Sequence, residues 1–176
     1  PKCFDKRYYD VRVILPKYSC MKQQWKDMMQ YKTHFYMDFA GQSQYVGVLE
    51  CVYDGVTFYF IDNEHYFTGD KPYTEHHWDI EKFMYFDRAV LSDFRPDVIH
   101  CHDWQTGLIP VYLHDSFAGG DFFRGIKTVM TIHNLKFQGN DGVEQFKRIS
   151  GLSDYYFTID KLRTGVDGNM LKGGLV

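Results

Sequence analysis

Two short segments gather the residues best suited to chemistry: His100-Cys-His-Asp-Trp-Gln105 and His133-Asn-Leu-Lys-Phe-Gln-Gly139. Imidazole and carboxylate donors of this kind could hold a divalent metal, because a His-x-His pair projects both rings from one side of an extended strand. His100, His102, Asp103 and His133 are the candidate ligands, and a metallohydrolase is the reading they would support. Two points weigh against it. No His-x-x-x-Asp-His run or second carboxylate pair stands nearby to complete a coordination sphere. A histidine at a strand end is also more often a hydrogen-bonded structural residue than a ligand. The residues alone therefore predict no metal.

Both segments need strands to aim them. Asp97-Val-Ile-His-Cys101 and Lys127-Thr-Val-Met-Thr-Ile132 are short apolar runs, and Asp10-Val-Arg-Val-Ile-Leu15, closed by Pro16, is another. Between them residues recur at helical spacing from Asp79 onward: Ile80, Phe83, Met84, Asp87, Val90, Leu91 and Phe94, until Arg95-Pro96 stops the pattern. A further helix is predicted from Gln105 to Phe117. A short helix could occupy Met21 to Tyr31, and His34 to Ala40 alternates like a strand with one solvated face. Tyr45 to Tyr53 and Val56 to Ile61 flank Asp54-Gly55, the dipeptide of a type I′ hairpin turn.

This order predicts an α/β protein: a Rossmann-like, doubly wound parallel sheet with right-handed crossovers and a β-hairpin insertion. In such sheets ligands bind beyond the carboxyl ends of the strands, which is where both chemistry-bearing segments fall. No repeat, low-complexity stretch or linker marks a second domain, so residues 1–176 read as one domain.

Composition narrows the partners. The 176 residues carry 20 basic and 23 acidic side chains, a formal charge of -3, with no basic run longer than two. Nucleic acid and anionic membrane surfaces select clustered Lys and Arg, so neither is expected as a partner. The longest apolar runs fall far short of the roughly 20 residues that span a bilayer. Cys3, Cys20, Cys51 and Cys101 are scattered without C-x-x-C spacing and read as free thiols of a reducing cytoplasm.

Pro96-Asp-Val-Ile-His-Cys-His-Asp-Trp-Gln-Thr-Gly-Leu-Ile-Pro-Val-Tyr-Leu113 and Thr131-Ile-His-Asn-Leu-Lys-Phe-Gln-Gly139 resemble the N-terminal domain of the bacterial glycogen synthase and plant starch synthase family. Asp10 to Pro16, Tyr45-Val-Gly-Val48, Gly55 to Glu64 and Asn169 to Val176 follow in the family's order and approximate spacing. The resemblance covers essentially the whole chain. It implies a GT-B glycosyltransferase, built from two Rossmann-like domains. Such an enzyme moves glucose from ADP-glucose to the non-reducing 4-hydroxyl of an α-1,4-glucan, with retention and without a metal or other cofactor. It further implies that the chain is a partial, acceptor-side domain. The family's donor loop would lie before Pro1 and its C-terminal domain after Val176. Lys172-Gly-Gly-Leu175 is not that donor loop; it reads as small-residue helix packing. A cytoplasmic bacterial enzyme is expected, or a plastid one if the source is a plant. Two further expectations are that the isolated chain is inactive and that it self-associates through apolar surface left uncovered.

The resemblance assigns His133 and Asp103 as catalytic. His133 would face the donor glucose with its ring and backbone carbonyl, and Asp103 matches an acidic residue near the sugar sites. Asp103 could instead cap the helix beginning at Gln105. Tyr73 falls in a loop that departs from the family pattern at Thr74-Glu-His-His-Trp78. It is a substrate-binding candidate together with Trp104, Asn134 and Gln138. Trp104 could be packed, and the two amides could be loop-capping bonds. His76 and His77 read as solvated loop residues. The remaining alternative is a noncatalytic glucan-binding module, since 18% of the residues are aromatic. Most of these lie in strands and the helical stripe, where packing accounts for them.

Overall fold

A computed structural model describes residues 1–91, 95–115 and 119–176. The chain divides into two compact units, Pro1–Met37 with Ser43–Thr74, and Asp38–Gln42 with Glu75–Val176.

The first unit is built on a four-stranded sheet of order β1-β4-β3-β2. Its strands are β1 (Arg12–Pro16), β2 (Gln30–Phe39), β3 (Gln42–Tyr53) and β4 (Val56–Asp62), with a four-residue helix α1 (Gln23–Lys26) before β2. The predicted hairpin is present. Asp54 and Gly55 have φ of 50° and 69°, and Tyr53 pairs with Val56 across the turn. The hairpin is woven into the sheet, because β4 also runs parallel to β1 with Val13 opposite Phe58 and Leu15 opposite Phe60. A second tight turn at Ala40 and Gly41, with φ of 50° and 76°, joins β2 to β3. Tyr31 lies in β2 and not in the helix predicted up to it: the β-prone run Tyr31 to Phe39 extends the strand at the helix's expense. Val46, Val48, Phe60, Ile61, Tyr66 and Phe67 are buried.

The second unit opens with α2 (His76–Ala89), whose apolar stripe Ile80, Phe83, Met84 and Tyr85 is fully buried. Removing each such side chain from water contributes about 1.5–3 kcal/mol before entropy is counted. α2 ends at Ala89, short of the predicted Val90 and Leu91, and the helix predicted from Gln105 begins only at Ile109; Phe94 and Phe117 lie outside the described residues. After α2 come β5 (Val98–His102), α3 (Ile109–Asp115) and β6 (Lys127–Thr131). β5 and β6 pair in parallel, Val98 opposite Lys127 and His102 opposite Thr131. The chain is thus of the expected α/β class with parallel strands. β7 (Asn140–Gly142), α4 (Val143–Ser150), β8 (Arg163–Thr164), β9 (Asp167–Asn169) and α5 (Met170–Gly173) complete the unit, the three strands forming a small antiparallel sheet of order β7-β9-β8.

Polar groups are built into this core as well. Asp87 is fully buried on α2 and accepts a hydrogen bond from the Leu108 amide ahead of α3, at 2.8 Å. Lys82 is buried beside Asp79, 2.6 Å away. His76 and His77, read as solvated loop residues, are exposed as expected but lie at the start of α2, not in a loop, and reach β7. The His76 ring bonds the Asn140 carbonyl at 2.6 Å, and His77 Nδ1 lies 2.9 Å from Asp141 Oδ1. Gly173 packs as expected of a small residue: a Cβ there would sit 2.7 Å from the Gly107 carbonyl oxygen, so α5 lies directly against the chain leading into α3.

Candidate functional site

β5 and β6 end side by side because their parallel register places His102 opposite Thr131 and lets the Asp103 amide donate to the Thr131 carbonyl at 2.9 Å. Strand alternation then sets His100 and His102 on one side, with ring centroids 4.3 Å apart and planes 28° from parallel. The next ring in the row is His133, just past β6. It stacks on His102 at 5.4 Å and 15°, with His102 Nδ1 3.1 Å from His133 Nε2. His100 Nε2 meets the Thr131 hydroxyl at 2.7 Å. Three imidazoles thus line the strand ends, and His133 is exposed. Partial burial and the neighbouring His100 and His133 rings hold the His102 pKa below its ordinary value, so its neutral form is favoured.

The chain turns sharply after β5. Asp103 has φ of 58°, a left-handed conformation uncommon outside glycine. The turn aims its carboxylate at the loop beyond β6, where Oδ1 accepts from the amides of His133 at 2.6 Å and Asn134 at 3.3 Å. The helix-capping alternative fails, since Asp103 makes no side-chain cap bond to the short helical turn Trp104–Thr106. Its carboxylate ties the end of one strand to the loop after the other. Thr106 secures the turn: its hydroxyl accepts from the His102 amide at 2.7 Å and faces the His102 carbonyl at 3.0 Å.

The other predicted site residues separate clearly. Trp104 is buried, edge-on to Phe83 at 5.1 Å, and a Cβ at Gly139 would meet its ring at 2.3 Å. The expectation of an open indole face is therefore corrected, because the loop after β6 lies across the ring. Gln138 is likewise committed within the fold: its Nε2 donates to the Leu135 carbonyl and its Oε1 accepts from Asn169 Nδ2 at 2.8 Å. Asn134 is exposed and accepts the Lys136 amide at 3.0 Å, a local turn bond. Tyr73 is half exposed and belongs to the first unit, whereas His133, Asp103, Trp104, Asn134 and Gln138 belong to the second.

The metal reading of His100, His102, Asp103 and His133 finds no support in the geometry. Among the described residues no three His, Cys, Asp or Glu side chains are arranged to hold an ion. Asp103 points at backbone amides, and two of the imidazoles turn their nitrogens toward each other. Sequence reasoning missed Thr131, Thr106 and Asn169. Asn169 is buried, caps α5 through the Lys172 amide and holds Gln138. Only the spatial neighbours of these three residues reveal them.

The arrangement presents three exposed imidazoles at the carboxyl end of a parallel pair, and one of them, His133, has its backbone fixed by a carboxylate and its ring within hydrogen-bond reach of a second histidine. Comparison with known proteins agrees with the sequence resemblance. The model of the starch synthase catalytic domain matches residues 1–176. The glycogen synthase of Lachnospira eligens is 59% identical over the whole chain, and that of Lachnoclostridium phytofermentans 57%. In both cases the chain spans 38% of the relative's length. Among solved structures, the catalytic domain of starch synthase IV from Arabidopsis thaliana bound to ADP and acarbose superposes with a TM-score of 0.85 at 27% identity. That match covers 97% of this chain and 36% of that one. The chain belongs to the starch synthase catalytic domain family.

Proposed function

We propose that the chain is the N-terminal, acceptor-side Rossmann-like domain of a two-domain GT-B glucosyltransferase. The enzyme transfers glucose from ADP-glucose to the non-reducing end of an α-1,4-glucan with retention of configuration, in a bacterial cytoplasm. The observation that carries this reading is the exposed His133 at the carboxyl end of β6, in a chain matched along its full length by the family model. A backbone carbonyl at that position can stabilise the positive charge that builds at the anomeric carbon, while the imidazole orients a sugar hydroxyl. Asp103 contributes by fixing the His133 and Asn134 amides, which sets where that carbonyl points. Cations for the departing diphosphate and a closed crevice that excludes water come from parts of the enzyme outside this chain.

The test is ADP release from ADP-glucose and a maltooligosaccharide. In the full-length enzyme, His133→Ala should lower kcat by about a hundredfold or more with the fold intact. The chain alone should show no turnover. Wild-type turnover in the variant would overturn the assignment of His133, and turnover by the chain alone within about tenfold of the full-length enzyme would overturn the division of labour.

A second reading, glucan binding without turnover, is favoured by one observation. Tyr31 and Tyr36 are 60% and 65% exposed and join His34 and Tyr45 in a cluster of touching rings on β2 and β3. Flat apolar rings suit the C–H faces of sugars. Retardation of the chain in glycogen-containing gels, abolished by Tyr36→Ala, would support it.

A further inference from the structure

We infer that His102 is a positioning residue for His133, holding its ring in one orientation and tying the tautomer of His133 to its own. The inference rests on the reading of His133 as the sugar-facing group.

The geometry leaves little freedom. His102 Nδ1 and His133 Nε2 are 3.1 Å apart, and the two planes differ by only 15°. A hydrogen bond between two neutral imidazoles contains one proton, so one ring donates and the other accepts. Whichever donates, the state of the remaining His133 nitrogen follows: Nδ1 carries a proton if Nε2 accepts, and is a bare acceptor if Nε2 donates. The bond thus couples the two rings, and a sugar hydroxyl approaching that nitrogen meets the partner that the proton on His102 dictates.

His102 is itself held on three sides. Its backbone amide and carbonyl face the Thr106 hydroxyl, its ring is stacked on His100, and His100 is anchored to Thr131. The backbone of His133 is fixed independently by Asp103. Two separate devices thus set the backbone and the ring of one exposed residue, a degree of support that an idle surface histidine would not require. The His102 side chain is exposed, so its replacement should leave the core undisturbed.

The test uses the full-length enzyme with His102→Phe, which keeps a flat ring but no nitrogen, and His102→Asn, whose amide reaches the position of Nδ1. His102→Phe should lower kcat by about tenfold or more while KM for both substrates stays within about twofold, and His102→Asn should recover to within about threefold of wild type. Imidazole 15N shifts of His133 in selectively labelled protein supply a readout that a purely structural role would not move. One tautomer should dominate in the wild type, and the mixture of a free imidazole should return in His102→Phe.

Equal losses in the Phe and Asn variants, wild-type kcat in His102→Phe, or a free-imidazole mixture in the wild type would each overturn the inference. His133→Ala assayed in parallel separates the two ideas. If it is inactive while His102→Phe is fully active, only the positioning role fails; if it is fully active, the reading of His133 fails and takes the positioning role with it.

Discussion

Asp103 combines a left-handed backbone with a carboxylate that accepts two amides from the loop after β6. Asn keeps an acceptor oxygen and tolerates positive φ, whereas Ala keeps neither. Asp103→Ala should therefore destabilise the protein by about 1–2 kcal/mol in urea unfolding, and Asp103→Asn by much less. A loss of activity in Asp103→Asn at unchanged stability would assign the charge itself a part in the reaction. His77 and His102 make opposite contributions to pH dependence. Asp141, through its hydrogen bond and then its charge, raises the His77 pKa above its ordinary value. The stabilisation it gives is fully present below pH 6.5 and lost as pH rises through the raised value. His102, held below its ordinary value, favours the folded state above pH 6.5, and that contribution is lost as pH falls. His77→Gln should consequently lower the melting temperature at pH 6 and leave it nearly unchanged at pH 9. Equal shifts at both would show that the His77–Asp141 pair does not titrate as the geometry requires.

At the scale of elements, α2 and the start of α3 are joined by a group whose ionisation the core resists. Burial raises the Asp87 carboxyl well above its ordinary pKa, and the Leu108 amide offsets this only in part. Its Oδ1 has no hydrogen-bond partner, which suits a protonated, neutral acid better than a carboxylate. For an acid with a raised folded pKa, the stabilisation is present below about pH 4, where the unfolded group is also protonated, and is lost as pH climbs toward the folded value. Asp87→Asn keeps an acceptor for Leu108 and removes the titration. The urea midpoint of the variant should rise relative to wild type at pH 7.5 and match it near pH 4.5. A variant less stable at both would mean that the carboxyl makes a favourable interaction that the amide cannot reproduce. Cys101 on β5 shares this environment, and burial, with the nearby Asp87, pushes its thiol up to about 12. It should be the slowest of the four thiols to alkylate in the native protein.

For the molecule as a whole, surface composition decides how the chain behaves on its own. Parallel strands are ordinarily covered on both faces, yet Val98 on β5 and Val129 on β6 are 51% and 47% exposed, and Leu135 and Phe137 in the following loop are more so. Exposed apolar groups of this kind favour association. The isolated chain should sediment as a concentration-dependent mixture of monomer and larger species, and Val129→Lys should shift it toward monomer. A monomer at all concentrations would show that these residues do not form an adhesive surface. Among the described residues no helix is long and apolar enough to cross a membrane, and all four cysteines are free thiols as their spacing implied, two exposed and two buried.

Local chemistry made much of this legible in the sequence. Asp54-Gly55 dictates a hairpin because its backbone preference is intrinsic, the spacing of Ile80, Phe83 and Met84 dictates a helix face because period alone sets which residues align, and the apolar runs around His100 and Val129 dictate strands. The ordered blocks from Asp10 to Val176 were sufficient to identify the family. What only the tertiary structure decided are contacts between residues far apart in the chain. Trp104 is buried because the Gln138-Gly139 loop crosses it. His76 and His77 are engaged because β7 lies beside the start of α2. The bond between His102 and His133 exists because the register of β5 on β6 brings their ends together. A residue's own preferences set its backbone, but whether its polar atoms meet water, an amide or another imidazole depends on which distant segment the packing of the core brings against it.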